Sequence, residues 1–330
     1  MQAPQQAVDL NKPATDPLVW VVDSTYTGEL NARIGLAERL GYAFEIIPLP
    51  GMDAKGYQHM LTELYTHQAQ GCEPQLLVIS GTGEETTSEI ADLKSLFHDR
   101  LFNIYLASIL PDEHHPRLME YDLIASPQLV GTGIVSLVSV AHRLTQALLA
   151  DAYRQHQDYF NQLPKPIIGL FLGGNTRYCD GFNEDHAKGL AQRVCNIAIP
   201  MGGCLVVSNS RRTPVQAQAA LLDALKDLNY YFFDWQQTEL SLYHALLAHA
   251  DLFIVTGDSL SMCSEASFTG KPVLIDISKE ATEGFHRDIV AKLIDFGAAK
   301  RLTGSFEPWA SVATDPTQTI VDAIRHRIAC

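Results

Sequence analysis

A chain of 330 residues is too long for one ordinary core and about right for two domains. Hydrophobic residues at 46% and charged residues at 19% exclude a disordered chain, and a net charge of −14 excludes bulk electrostatic adhesion to nucleic acid or anionic lipid. Residues 1–150 carry 8 Lys and Arg against 18 Asp and Glu, whereas 151–330 carry 16 against 20, so an anionic ligand is expected on the second half. The six cysteines show no CxxC pair and no metal-ligand spacing, which fits a reduced compartment. The polar N-terminus lacks the apolar core of a signal peptide, and no apolar run reaches transmembrane length. A cytoplasmic location is expected, with peripheral contact to the inner face of a membrane left open.

In chain order, short aliphatic runs predict strands at Leu18–Val22, Phe44–Leu49, Leu76–Ser80, Asn103–Ser108 and Asp122–Ala125. Helical spacing lies between and after them at about 28–41, 56–69, 87–98 and 134–158. In the second half the strands are Ile167–Gly173, Cys204–Asn209, Tyr230–Asp234, Leu252–Thr256 and Pro272–Ile277. Helices are expected at about 183–198, 214–227, 238–249 and 261–269, with helical spacing again at Thr317–Arg327. Alternation of this kind predicts an α/β protein with two Rossmann-like, doubly wound domains and a ligand cleft between them. The stiff segment Asn161–Pro166, with two prolines, places the boundary: an N-terminal domain at 1–160, a C-terminal domain at 161–314, and a last helix at 315–330 that could pack on the first domain.

In such sheets ligands sit beyond the carboxyl ends of the strands. The strongest motif there runs from Thr256 through Gly257, Asp258, Ser259, Ser261 and Ser264 to Glu265: an apolar strand, a Gly turn and a helix start. Open N–H groups and the helix dipole favour a phosphate at that start, three serines add donors, and Glu265 could accept two ribose hydroxyls. The plainer reading is that Asp258 or Ser259 merely caps the helix. A second loop holds Gly174, Asn175 and Arg177, whose guanidinium can grip an oxyanion in bidentate fashion. A third holds Ser208, Ser210, Arg211 and Arg212 before Thr213 and Pro214, a candidate cap and first helical residue; at least one of the two arginines is expected to be a surface charge. In the first half Gly28 follows a strand, and Asp23, Glu84 and Glu85 are candidates for the general base acting on an acceptor. Neither GxGxxG nor a P-loop lysine is present.

The string from Val255 to Val273, with Ser208–Pro214, the Leu-Gly-Gly-Asn loop ending at Asn175, and Gly28, Asn31, Leu36 and Gly41 near the start, resembles the mitochondrial fission ELM family. That family includes plant members linked to mitochondrial division and bacterial members labelled as nucleoside-diphosphate-sugar epimerases. It is similar in turn to GT-B glycosyltransferases, which implies that Ser259, Ser261 and Glu265 hold donor phosphates and ribose. Gly174, Arg177, Ser210 and Arg211 would line the same cleft. The resemblance implies transfer of a sugar from a nucleotide-sugar such as a UDP-sugar to an unknown lipid or glycan acceptor, with no further cofactor and no tightly bound metal. An NDP-sugar epimerase and a non-catalytic adaptor stand as alternatives. The sequence departs from the family pattern at Ser126–Val130 and at the acidic segment after Gly83.

Overall fold

Aliphatic runs without alternating polar residues suit parallel strands buried on both faces. The computed structural model describes residues 17–47, 76–82, 86–108 and 116–328. Among the described residues of the first half six strands form, β1 (Leu18–Val22), β2 (Phe44–Ile47), β3 (Leu76–Gly81), β4 (Leu101–Leu106), β5 (Leu123–Ser126) and β6 (Ile134–Ser136). They pair in parallel in the order β2-β1-β3-β4-β5-β6. Alternate residues divide between two cores. Val19, Val21, Leu77, Ile79 and Ile104 pack toward helix α1 (Thr27–Leu40), while Leu18, Trp20, Leu76, Val78 and Leu101 pack toward α2 (Thr87–Phe97). The expected helix at 56–69 lies outside the described residues.

The second sheet comprises β7 (Ile167–Phe171), β8 (Cys204–Ser208), β9 (Tyr230–Phe233), β10 (Leu252–Thr256), β11 (Val273–Asp276) and β12 (Lys300–Arg301). Its order is β12-β11-β10-β7-β8-β9, again all parallel. With it go α3 (Gln146–Asn161), α4 (Glu184–Met201), α5 (Val215–Ala224), α6 (Leu240–His249), α7 (Leu260–Phe268) and α8 (Gly284–Asp295). Neighbouring strands β7 and β10 send their chains in opposite directions across the sheet, so their carboxyl ends mark its switch point.

The described chain divides into two units, one running to Arg143 and resuming at Asp315, the other Leu144–Thr314. The division falls before α3, whereas Asn161–Pro166 had suggested a boundary after it. Aromatic stacking explains the difference: Tyr153 and Phe160 of α3 stack on His249 of α6, with ring centres 4.0 and 4.5 Å apart. The helix expected over 134–158 also starts later. Ile134–Ser136 pairs with β5 as an edge strand, and Thr145 caps α3 by accepting the Leu148 N–H at 3.0 Å. Helix α8, strand β6 and strand β12 were not anticipated from the sequence. The final helix α9 (Pro316–Ile328) buries Ile320, Val321 and Ile324 with Leu36 and Leu40 of α1 in the first unit. Arg39 and Asp315 pair at 2.7 Å beside it.

Candidate functional site

The carboxyl ends of β7, β8, β10 and β11 bring four loops together. Gly173 and Gly174 leave β7 with no room for side chains: a Cβ on Gly173 would lie 2.1 Å from the Asp258 carboxylate, and one on Gly174 2.0 Å from the Arg212 carbonyl. Gly174 also has φ +152°, where L side chains are strained. The glycines thus permit the close backbone approach on which the site is built.

Thr256 and Asp258 tie β10 to β7. The Gly173 N–H donates to Thr256 Oγ1 at 2.8 Å and the Gly174 N–H to Asp258 Oδ2 at 2.7 Å. Arg212 approaches the same Oδ2 at 3.1 Å and also donates to the carbonyls of Gly174 and Asn175, both at 3.2 Å. Burial pushes the Asp258 carboxyl up, and the charge of Arg212 pulls it back. The carboxylate therefore joins loops and does not cap α7. Gly257 donates its N–H to the Asp276 carbonyl at 2.8 Å, linking β10 to β11.

Helix α7 begins directly after this tie. Ser259 occupies the cap position but makes no side-chain cap hydrogen bond, so the N–H groups of the first turn are not closed by it. Ser261 and Glu265 are partly exposed and four residues apart, hence on one face. Ser264 is 0% exposed and turned to the interior. Glu265 accepts a hydrogen bond from the Tyr243 hydroxyl of α6 at 2.7 Å, and burial raises its pKa to about 7.

The β8 loop contributes differently from each residue. Ser208 is buried and its carbonyl accepts the Leu172 N–H at 2.8 Å. Ser210 Oγ donates to the Gly173 carbonyl at 2.7 Å. Thr213 is no helix cap: its hydroxyl accepts the Ser210 N–H at 2.9 Å, and Pro214 occupies the cap position of α5. Of the two adjacent arginines, Arg212 is engaged with Asp258 while Arg211 is exposed to solvent. Arg177 is also exposed and lies over the Tyr178 ring at 4.7 Å. Asn175 receives the Phe182 N–H on its side-chain oxygen at 3.0 Å, closing the loop before α4.

Several residues here stand in no recognisable sequence motif. Thr176 donates to Glu283, which pairs with His286 at 2.6 Å. Burial opposes ionisation of Glu283, but the bonds from His286 and Thr176 outweigh it and hold the carboxyl below its ordinary range. Asp276 takes His186 at 3.0 Å and Arg193 at 2.7 Å. These pairs fasten the β11 loop to α4 and to the Gly174 loop. Their spacings, from 83 to 107 residues for the α4 and Thr176 links, gave no local signal. Among the described residues no group of three or more His, Cys, Asp or Glu side chains could hold a metal ion.

In the first unit Asp23 follows β1 and turns its carboxylate back onto the Ser24 N–H at 2.7 Å. Arg33, 1% exposed, donates to the carbonyls of Val22, Asp23 and Thr82 at 2.8, 2.8 and 2.9 Å, locking the ends of β1 and β3. Gly28 is the second residue of α1. One residue on, Glu29 accepts the Ser108 hydroxyl at 2.9 Å, adding a carboxylate that no local sequence motif marks. Glu84 and Glu85 lie outside the described residues.

Two doubly wound parallel sheets, the second in the order 3-2-1-4-5-6, define a protein of the GT-B fold. Solved structures agree. MurG of Acinetobacter baumannii matches with a TM-score of 0.52 at 13% identity, over 94% of this chain and 100% of that one. The UDP-GlcNAc 2-epimerase of Neisseria meningitidis, bound to UDP-GlcNAc, matches with 0.52 at 14% identity, over 94% and 91%. The chain belongs to the Mitochondrial fission ELM1 family, whose model matches residues 27–328. Its relative in Arabidopsis thaliana, Mitochondrial fission protein ELM1, is 23% identical over 84% of this chain and 68% of its own length. No helix among the described residues is long and apolar enough to cross a membrane.

Proposed function

We propose that the second unit binds a nucleotide-sugar and that the protein transfers the sugar to an acceptor, as a GT-B-type glycosyltransferase without a tightly bound metal. The observation that carries this reading is the start of α7, left open by Ser259 at the switch point of the sheet, with Ser261 and Glu265 on one face below it. A diphosphate at that start would meet N–H groups, the helix dipole and a serine hydroxyl. Arg211, exposed in the loop after β8, would screen further negative charge. Such groups stabilise a departing diphosphate as charge builds on it. The Glu265 carboxylate suits the paired hydroxyls of ribose. An epimerase on the same scaffold is the second reading, favoured by the Neisseria structure with UDP-GlcNAc on this fold. A purely adaptor role gives no use for an open helix start beside a half-buried carboxylate.

Thermal-shift and calorimetric titration with UDP-, GDP-, CMP- and ADP-sugars tests the binding step, and product analysis separates transfer from epimerisation. Glu265→Ala is expected to weaken UDP binding by about tenfold or more while leaving inorganic pyrophosphate binding nearly unchanged. Equal losses for the two ligands would remove Glu265 from ribose recognition. Failure of every nucleotide to bind would end both enzymatic readings.

A further inference from the structure

We propose that Tyr243 is a positioning residue for nucleotide recognition: its hydroxyl holds one oxygen of Glu265 and leaves the other presented to a ribose hydroxyl. The inference rests on the nucleotide-site reading above and assigns a role to a residue on a different helix.

Tyr243 sits on α6 and its ring packs against Phe171 at the end of β7, with ring centres 5.2 Å apart. Burial keeps the phenol protonated well above its ordinary pKa, so it donates to Glu265 Oε2 at 2.7 Å. Oε1 of Glu265 makes no hydrogen bond among the described residues, and it is not sealed from solvent. Glu265 lies five residues into α7, about 7.5 Å along the axis from Leu260. That is the scale separating a terminal phosphate from the ribose of a nucleoside diphosphate. Tyr243 thus fixes the rotamer of a carboxylate that would otherwise be mobile, and it favours the ionised form.

The surroundings leave that bond as the main counterweight to burial. On α7 the near ionisable neighbour is Cys263, itself fully buried with its thiol pushed up. On α6 the His244 ring lies 6.1 Å from that of Tyr243. Across from α7, Asp258 of the β10 loop is held by Arg212, Asp276 of β11 by His186 and Arg193, and Glu283 before α8 by His286. Loss of the phenol should therefore raise the pH at which Glu265 ionises, and with it the pH needed for tight nucleoside binding.

The test compares UDP and inorganic pyrophosphate binding to the wild-type chain, Tyr243→Phe, Glu265→Gln and the double variant between pH 6 and 9. Reading variant and wild type as a ratio at each pH cancels titration of the ligand. Phenylalanine keeps the packing on Phe171, and a melting curve checks that it does. If the ionisation of Glu265 moves up by about one unit, UDP affinity of Tyr243→Phe falls about fivefold at pH 7 and returns nearly to wild type at pH 9. Pyrophosphate affinity should not change, and Tyr243→Phe should add nothing to Glu265→Gln. Wild-type UDP binding with a ratio independent of pH, or a penalty that persists in the Glu265→Gln background, overturns the role of Tyr243 alone. No UDP binding by the wild type overturns the nucleotide site and the inference with it.

Discussion

Replacing Asp258 with alanine is expected to destabilise the second unit by about 3 kcal/mol and to abolish nucleotide binding. The side chain is 1% exposed and serves two partners at once, the Gly174 N–H at 2.7 Å and Arg212 at 3.1 Å. Its removal strands a buried backbone donor, which costs about 1–3 kcal/mol. Arg212 loses its counterion, at a smaller cost because it is 32% exposed and water screens it. The consequence for function follows from position. Asp258 immediately precedes Ser259, the cap residue of α7, so loosening it moves the N–H groups that would hold phosphate. Asp258→Asn keeps an acceptor for Gly174 and should cost about 1 kcal/mol. Urea unfolding of Asp258→Ala, Arg212→Ala and the double variant measures the coupling, and the double variant should cost less than the two singles combined. A loss below about 0.5 kcal/mol for Asp258→Ala would show that the loops are held by other means.

The second large effect is on acid stability. His142 is buried in the first unit, and burial lowers its pKa to about 4. The unfolded chain binds that proton near pH 6.5 while the native chain resists it down to about 4, so between these values unfolding takes up a proton. Stability therefore falls as the pH drops through this window, by about 3 kcal/mol in full, and is unaffected above it. The location gives this loss a structural target. His142 exchanges two backbone hydrogen bonds with the Thr317 hydroxyl, N–H to Oγ1 at 2.9 Å and Oγ1 to carbonyl at 2.8 Å, and these fasten α9 to the rest of the first unit. Acidification should release α9 first, seen as faster amide exchange over Pro316–Ile328. His142→Leu should lack this component: the difference in unfolding free energy between wild type and variant should change by about 3 kcal/mol from pH 7 to pH 4. A difference that stays constant over that range would place the acid sensitivity elsewhere.

Both effects depend on residues that local patterning treats unequally. Asp258 stood inside a legible motif, yet its expected alternatives were anion contact or helix capping, and the structure gives it a third role. The reason is that its partners, Gly174 and Arg212, lie 84 and 46 positions away in the chain. His142 carried no signal, since burial is decided by α1 and α9 closing around it. Gly35 shows the same contact from the other side: a Cβ there would meet Arg143 Cα at 2.6 Å and the His142 carbonyl at 2.7 Å.

The amino-acid sequence by itself determined the two doubly wound sheets, most of their strands, and the strand-to-helix turn at Thr256–Glu265, because aliphatic runs, glycines and hydroxyl residues are local features with a fixed spacing. Tertiary structure alone decided the rest. Side-chain packing against His249 drew α3 into the second unit, and sheet-edge pairing turned Ile134–Ser136 into a strand. Within the site, proximity sorted residues of one type into different tasks: Arg212 to Asp258 and Arg211 to solvent, Ser264 inward and Ser261 outward. Glu265 was visible in the sequence as a carboxylate. Its partner Tyr243, and the burial that brings its pKa to about 7, follow only from α6 and α7 lying side by side, which no local pattern encodes.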